Sequence, residues 1–126
     1  MARGLTFDTG ALLGLERRRH RMRKVLDVAA ADGLEITVPA VVLAEWWRGP
    51  GDGRAEILAM LTVERMDDVL AKAAGEALAA VRHASTIDAV VMASAARRGD
   101  IVYSSDVGDL ERLRSFFRAV PRVLAA

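Results

Sequence analysis

Four acidic residues, Asp8, Glu45, Asp88 and Asp106, stand where a carboxylate has a local structural use and also where it can do chemistry. Asp8 directly follows the short apolar run Gly4–Phe7. Asp106 lies just past Ile101–Ser104, a second such run. Asp88 falls in the first turn of a helical pattern that opens at Thr86, and Glu45 sits among Val41, Val42, Leu43, Ala44, Trp46 and Trp47. Singly, each has a plain explanation. Asp8 and Asp106 suit helix N-caps, and Asp88 can close a capping box with Ser85. Glu45 can pair with Arg48 at i+3. Its apolar neighbours leave little polar face, however, so it is expected half-buried and in need of a partner. Together, carboxylates meeting in one crevice repel each other and take up protons. A bound dication removes that penalty, and a donor set of oxygens selects a hard one, Mg²⁺ or Mn²⁺. Such a site suits phosphodiester hydrolysis by a water whose pKa the ion lowers.

Composition removes the competing chemistries. The chain has no cysteine, which excludes thiolate catalysis, disulfides and cysteine-ligated zinc or iron–sulfur sites. It has two histidines, His20 and His83, too few for a histidine-rich metal site; neither is assigned a chemical role. With 126 residues a single domain is expected, spanning 1–126. A hydrophobic fraction of 52% argues against disorder. The net charge of +1 means that nucleic-acid binding must come from local clustering. No signal-peptide pattern and no run near ~18 apolar residues is present. A soluble, cytoplasmic protein without membrane contact is expected.

The elements that must position the acids alternate between two periods. Gly4–Phe7, Glu35–Val38, Val63–Met66, Ile101–Ser104 and, more weakly, Arg118–Val123 read as strands. Thr9–Leu15, Arg17–Ala31, Ala40–Arg48, Arg54–Leu61, Asp67–Arg82, Thr86–Arg98 and Val107–Ser115 read as helices. Met22, Val25, Leu26, Ala29 and Ala30 form one helical stripe, stopped by Asp32-Gly33. Thr86–Arg98 is apolar on all sides and is expected to be buried. Strands separated by helices imply an α/β fold, a parallel sheet of four or five strands between helical layers. Chemistry in such sheets sits beyond the carboxyl ends of the strands, where Asp8 and Asp106 fall.

The strings FDTGALLGLERR, VPAVVLAEWWRG and STIDAVVMASAARRGDIVYSSDVGDL, in this order over nearly the whole chain, resemble the PIN domain family. More narrowly the chain looks like a VapC-type toxin of a type II toxin–antitoxin pair. The resemblance implies a three-layer α/β/α domain with an acidic pocket. It also implies a Mg²⁺- or Mn²⁺-dependent endoribonuclease held inactive by a VapB-type antitoxin, and a homodimer. Position by position, it makes Asp8, Glu45, Asp88 and Asp106 the catalytic and metal-binding acids, with Asp8 and Asp88 the usual ligands. Thr9 and Ser104 match supporting hydroxyls. Asp109 matches an extra acid, read here as a first-turn helix residue.

Other features divide between function and packing. Arg17, Arg18, Arg19, Arg21, Arg23 and Lys24 form a basic patch, expected on the polar side of one helix. It is either a solvated face or a contact for RNA phosphates or an acidic antitoxin segment, with Arg17, Arg18, Arg21, Lys24 and Arg48 the candidate contacts. Trp46 and Trp47 point about 100° apart on a helix, so one is expected at the surface, an interface or the core edge. Gly75 inside a helix is read as a close-packing site. Asp8-Thr9-Gly10-Ala11 also matches the short signature of retroviral-type aspartic proteases. Those are all-β dimers, and here the tetrapeptide opens a helix. The rivals to the nuclease reading are a non-catalytic RNA-binding or regulatory protein of the same fold, and a maturation ribonuclease without a toxin role.

Overall fold

Glycine and N-cap side chains punctuate the chain close to where the sequence requires. The computed structural model describes residues 4–126. In chain order the elements are β1 (Leu5–Phe7), α1 (Thr9–Glu16), α2 (His20–Asp32), β2 (Ile36–Pro39), α3 (Ala40–Trp46), α4 (Arg54–Ala59), β3 (Thr62–Glu64), α5 (Asp68–Ala80), α6 (Thr86–Arg98), β4 (Ile101–Ser104), α7 (Val107–Arg114) and β5 (Val123–Ala125). Gly33 and Gly99 end α2 and α6 in the left-handed conformation, at φ 66° and 73°, where a Cβ would be strained.

The strands form one parallel sheet in the order β3-β2-β1-β4-β5. The order builds outward from β1 to β3 and then restarts on the other side of β1 with β4. That makes the carboxyl ends of β1 and β4 the topological switch point, where such sheets open a crevice. Alternation along β1 assigns the two faces. Thr6 points to the side covered by α6, where its hydroxyl meets Arg98 at 3.0 Å. Leu5 and Phe7 point to the side of α1 and α2. The core fills both layers. Phe7, Leu12, Met22 and Val42 are buried, as are Val90, Val91, Met92, Val102, Leu110 and Leu113. α6 is buried from Ala89 to Ala95, as its apolar composition requires.

A polar network is built into the α6 face. Arg98 donates to Asp100 (2.8 Å), Glu64 (2.9 Å), Thr6 and Ser94 (both 3.0 Å). Asp100, only 1% exposed, also accepts from the Thr6 hydroxyl at 2.8 Å. A buried carboxylate needs such partners, and here they tie the end of α6 to β1 and β3.

Four expectations are corrected. The helix expected from Arg17 begins at His20 instead: Arg17–Arg19 turn the chain, with Arg18 at φ 57°. The last strand is Val123–Ala125, not Arg118–Val123. Val120 N–H is taken by a turn to Phe117 O, and Pro121 has no N–H to give a ladder. The third helix stops at Trp46, and the Arg48 guanidinium folds back onto the carbonyls of Trp47 (2.7 Å) and Ala44 (3.4 Å). Gly75 is not a close-packing site, because a Cβ there would meet open space. Among the described residues, no helix is long and apolar enough to cross a membrane.

Candidate active site

β1 ends at Phe7 and hands the chain to Asp8, whose N–H continues the sheet by donating to Tyr103 O at 3.2 Å. The Asp8 side chain then caps α1, with Oδ1 accepting from Ala11 N–H at 2.9 Å. β4 ends next door at Ser104. Its hydroxyl, fully buried, accepts the N–H of Asp106 at 2.8 Å. Asp106 occupies the N-cap position of α7, but its side chain makes no capping bond. The carboxylate is thus free of the local use that its position suggests. Strand order alone makes these two acids neighbours, although 98 positions separate Asp8 from Asp106.

Two helices complete the crevice. Ser85 caps α6 by accepting the N–H of Asp88 at 3.1 Å, which fixes the first turn carrying the Asp88 carboxylate. α3 brings Glu45, whose Oε1 accepts from the hydroxyl of Thr9. That bond answers what the apolar neighbours of Glu45 left open. The residue is exposed rather than half-buried, its partner is Thr9 rather than Arg48, and α3 turns it toward the crevice.

The result is a cavity of about 540 Å³ lined by Asp8, Thr9, Gly10, Glu45, Ser85, Thr86, Ile87, Asp88, Asp106 and Asp109. Every acid singled out in the sequence borders it. Asp109 also pairs with Arg112 at 2.8 Å along α7. Ser104 lies behind the wall. Gly10, Thr86 and Ile87 line the cavity without having been anticipated. Gly10 is explained by contact: a methyl group there would come within 2.5 Å of the Ser105 Cβ and closer still to its hydroxyl. The signal was a glycine two residues after an acid at a strand end, where a second strand end has to approach.

The electrostatics are one-sided. Burial pushes the Asp8 carboxyl up from its ordinary value, the charges of Asp106 and Asp88 push it further, and hydrogen bonding from Ser104 and the Ala11 N–H opposes the rise. Asp88 is also raised, first by desolvation and then by Asp106, Asp109 and Glu45, against hydrogen bonding from Ser85. Among the described residues, no Lys, Arg or His forms an ion pair with Asp8, Glu45, Asp88 or Asp106. Nor do three acidic or histidine side chains among the described residues close around one point as a ready-made metal cage. A donor set made only of oxygens, held apart and short of counter-charge, still fits a small hard cation. Mg²⁺ commonly keeps several waters and takes one or two carboxylates from the protein.

The basic residues are elsewhere. None of Arg17, Arg18, Arg21, Lys24 and Arg48 lines the acidic cavity. The expected single face does not form: Arg21 and Lys24 border one groove, Arg18 and Arg23 another, so that Arg21 and Arg23 fall on different sides of α2. Trp46 is buried and donates its indole N–H to Glu16 at 3.0 Å, while Trp47 is half-buried beside it.

Comparison with known proteins agrees with this architecture. A chain of the structure of FitAB bound to an IR36 DNA fragment has a similar fold, with a TM-score of 0.61 and 17% identity. The likeness covers 96% of this chain and 94% of that one. No significant match was found among curated proteins. Residues 5–114 match the profile of the PIN domain. With a parallel sheet whose switch point is bordered by Asp8 and Asp106, and with this match over most of its length, the chain belongs to the PIN domain family.

Proposed function

We propose that this chain is a Mg²⁺- or Mn²⁺-dependent endoribonuclease and the toxin of a type II toxin–antitoxin pair, with a VapB-type antitoxin as its partner and a homodimer as its assembly. PIN domains are generally nucleases, so hydrolysis of nucleic acid is the starting point. The observation that carries the reading is the cavity bordered by Asp8, Glu45, Asp88 and Asp106, with no cationic side chain among the described residues paired to any of them. Carboxylates in that state have little structural value to one another. They have a use if a cation and a phosphodiester enter together.

In this mechanism Asp8 and Asp88 would hold the ion, with Asp106 and Glu45 completing its surroundings. When bound, the dication lowers the pKa of a water and stabilises charge on the phosphoryl and leaving oxygens. Glu45 orients the attacking water and accepts its proton, and Thr9 fixes the rotamer of Glu45 through its hydrogen bond. Ser104 holds the backbone at Asp106 and favours the charged form of Asp8. Ser85 anchors the turn that presents Asp88. Arg17, Arg18, Arg21, Lys24 and Arg48, all outside the cavity, are available to RNA phosphates or to the antitoxin.

The test is cleavage of RNA by the purified protein with Mn²⁺, with Mg²⁺ and with EDTA, beside the Asp8→Asn variant. A DNA arm belongs in the assay, because FitAB is seen with DNA. Metal-dependent RNA cleavage that Asp8→Asn abolishes is expected. RNA binding without turnover favours the regulatory rival. Cleavage without growth arrest on induction, or arrest that no neighbouring-gene product relieves, removes the toxin role.

A further inference from the structure

α7 carries two acid–arginine pairs at i, i+3, and they lie on opposite flanks of the helix. Leu110 and Leu113, both buried, fix its inner face. Asp109 pairs with Arg112 at 2.8 Å, and Glu111 pairs with Arg114 at 3.2 Å. Two positions along a helix turn through roughly 200°, so Asp109 and Glu111 point to different sides. Only the Asp109 side meets the acidic cavity: Asp109 lines it, and neither Glu111 nor Arg114 does. Asp109 is close enough to Asp88 for its charge, after burial and the charge of Asp106, to raise the Asp88 carboxyl.

Arg112 is therefore the one cationic side chain that forms an ion pair with an acid of the cavity wall among the described residues. Asp109 Oδ1 takes one N–H, from Nη2, and the other donors of the guanidinium have no partner among the described residues. An exposed pair of this kind adds little stability. What it adds is position, because a carboxylate on one side fixes where the free donors sit. A polyanionic strand entering the cavity meets five carboxylates, Asp8, Glu45, Asp88, Asp106 and Asp109, and one dication offsets only part of their charge. A guanidinium supplies counter-charge with planar donors that match phosphate oxygens. Asp109 stands one turn of α7 from Asp106, about 4.5 Å along the axis. That offset sets Arg112 apart from the acids assigned to the ion, toward a phosphate beside the one being cleaved.

We propose that Arg112, moored at the rim of the acidic cavity by Asp109, binds a phosphate next to the scissile one and so sets the register of the RNA strand. The inference rests on the nuclease function proposed above. It makes Arg112 a substrate-binding residue and Asp109 the residue that positions it.

The experiment measures KM and kcat on a single-stranded RNA, and the affinity of the full chain for the same labelled RNA at several salt concentrations. Affinity is read with Ca²⁺ replacing Mg²⁺ and the strand checked on gels to be whole. Arg112→Gln is expected to raise KM and Kd about tenfold, the scale of one charge-assisted contact, with kcat little changed. The slope of log affinity against log salt should fall by about 0.7, the share of one phosphate on a single strand. Arg112→Lys should keep the slope and part of the affinity. Asp109→Asn decides by its sign. If the acid only repels RNA, its loss tightens binding; if it moors Arg112, its loss weakens binding and leaves the slope in place. Arg114→Gln, on the other flank, should match the parent, and thermal melts verify that the variants fold. Parent-like Kd and slope in Arg112→Gln overturn the proposal, as does tighter binding by Asp109→Asn. An effect of Asp109→Asn confined to the Mn²⁺ concentration that cleavage requires makes Asp109 an ion holder and overturns its mooring role. A parent that binds RNA without cleaving it removes the nuclease reading, and the affinity measurements still decide the role of Arg112. A parent that binds no RNA overturns both.

Discussion

Gly10 lies so close to Ser105 that no side chain fits between them: a Cβ on Gly10 would sit 2.5 Å from the Ser105 Cβ and 3.1 Å from its backbone nitrogen. This contact clamps the start of α1 to the loop after β4, and so sets the approach of Asp8 to Asp106. Gly10→Ala is expected to destabilise by about 2 kcal/mol through overpacking and to depress cleavage by displacing the loop. Ser105→Gly should restore part of both in the double variant, because the clash is pairwise. Additive effects in chemical denaturation would show that the clash is not the cause.

Asp8→Asn separates charge from capping. Asparagine caps a helix about as well as aspartate, so the bond from Ala11 N–H survives while the buried charge goes. The folded-state pKa of Asp8 is raised. The folded protein therefore holds the proton over a pH range where the unfolded chain has lost it. Stability accordingly falls as pH rises from the ordinary carboxylate range through the raised value, and is lower above it. The variant should melt at or above the parent at neutral pH, with the difference vanishing in acid. A lower melting temperature at neutral pH contradicts the buried-charge account.

Added Mg²⁺ or Mn²⁺ should raise the parent's melting temperature at neutral pH, by roughly the stabilisation of a ligand bound only to the folded state. The shift should shrink as the carboxyls protonate and should be absent in the double variant Asp8→Asn, Asp88→Asn. Isothermal titration gives the same answer without heating. An undiminished shift in the double variant places the ion elsewhere.

Ser104→Ala removes the hydroxyl that accepts the N–H of Asp106 at 2.8 Å and opposes the rise in the Asp8 pKa. Cleavage should drop about 10–100-fold, as for loss of an outer-shell partner. The pH at which activity appears should move upward, because Asp8 loses support for its charged form. Ser104→Thr should retain the hydroxyl and much of the activity. A pH profile identical to the parent's argues against this role.

Arg98→Met tests a structural group remote from the proposed chemistry. The substitution leaves Asp100, 1% exposed, with the Thr6 hydroxyl but no cation. A loss of about 3 kcal/mol is expected, with cleavage per folded molecule unchanged. Full stability would mean that water compensates the buried charge.

Signals acting within a few residues were legible in the sequence. The apolar run before Asp8, the Ser85–Asp88 cap, the all-round apolar α6 and the stops at Gly33 and Gly99 follow from hydrogen bonds and sterics that close inside one turn of chain. So does the α/β class, because two hydrophobic periods alternating along the chain leave few other ways to bury both.

Tertiary structure decided the rest. Glu45 is exposed and bonded to Thr9, 36 residues away, because α1 and α3 pack side by side; its own neighbours argued for burial. The basic run is divided because Arg17–Arg19 lie in a turn before α2, and because Arg21 and Arg23 fall on different sides of that helix. Arg98, Asp100, Glu64 and Thr6 form one network only after β1, β3 and the end of α6 have met. That Tyr103 and Ile101 are only half-buried beneath α2 depends on where two helices stop covering a sheet. A residue's local pattern sets the element it joins; which surfaces then face one another depends on strand order and packing, summed over contacts that no short stretch of sequence contains.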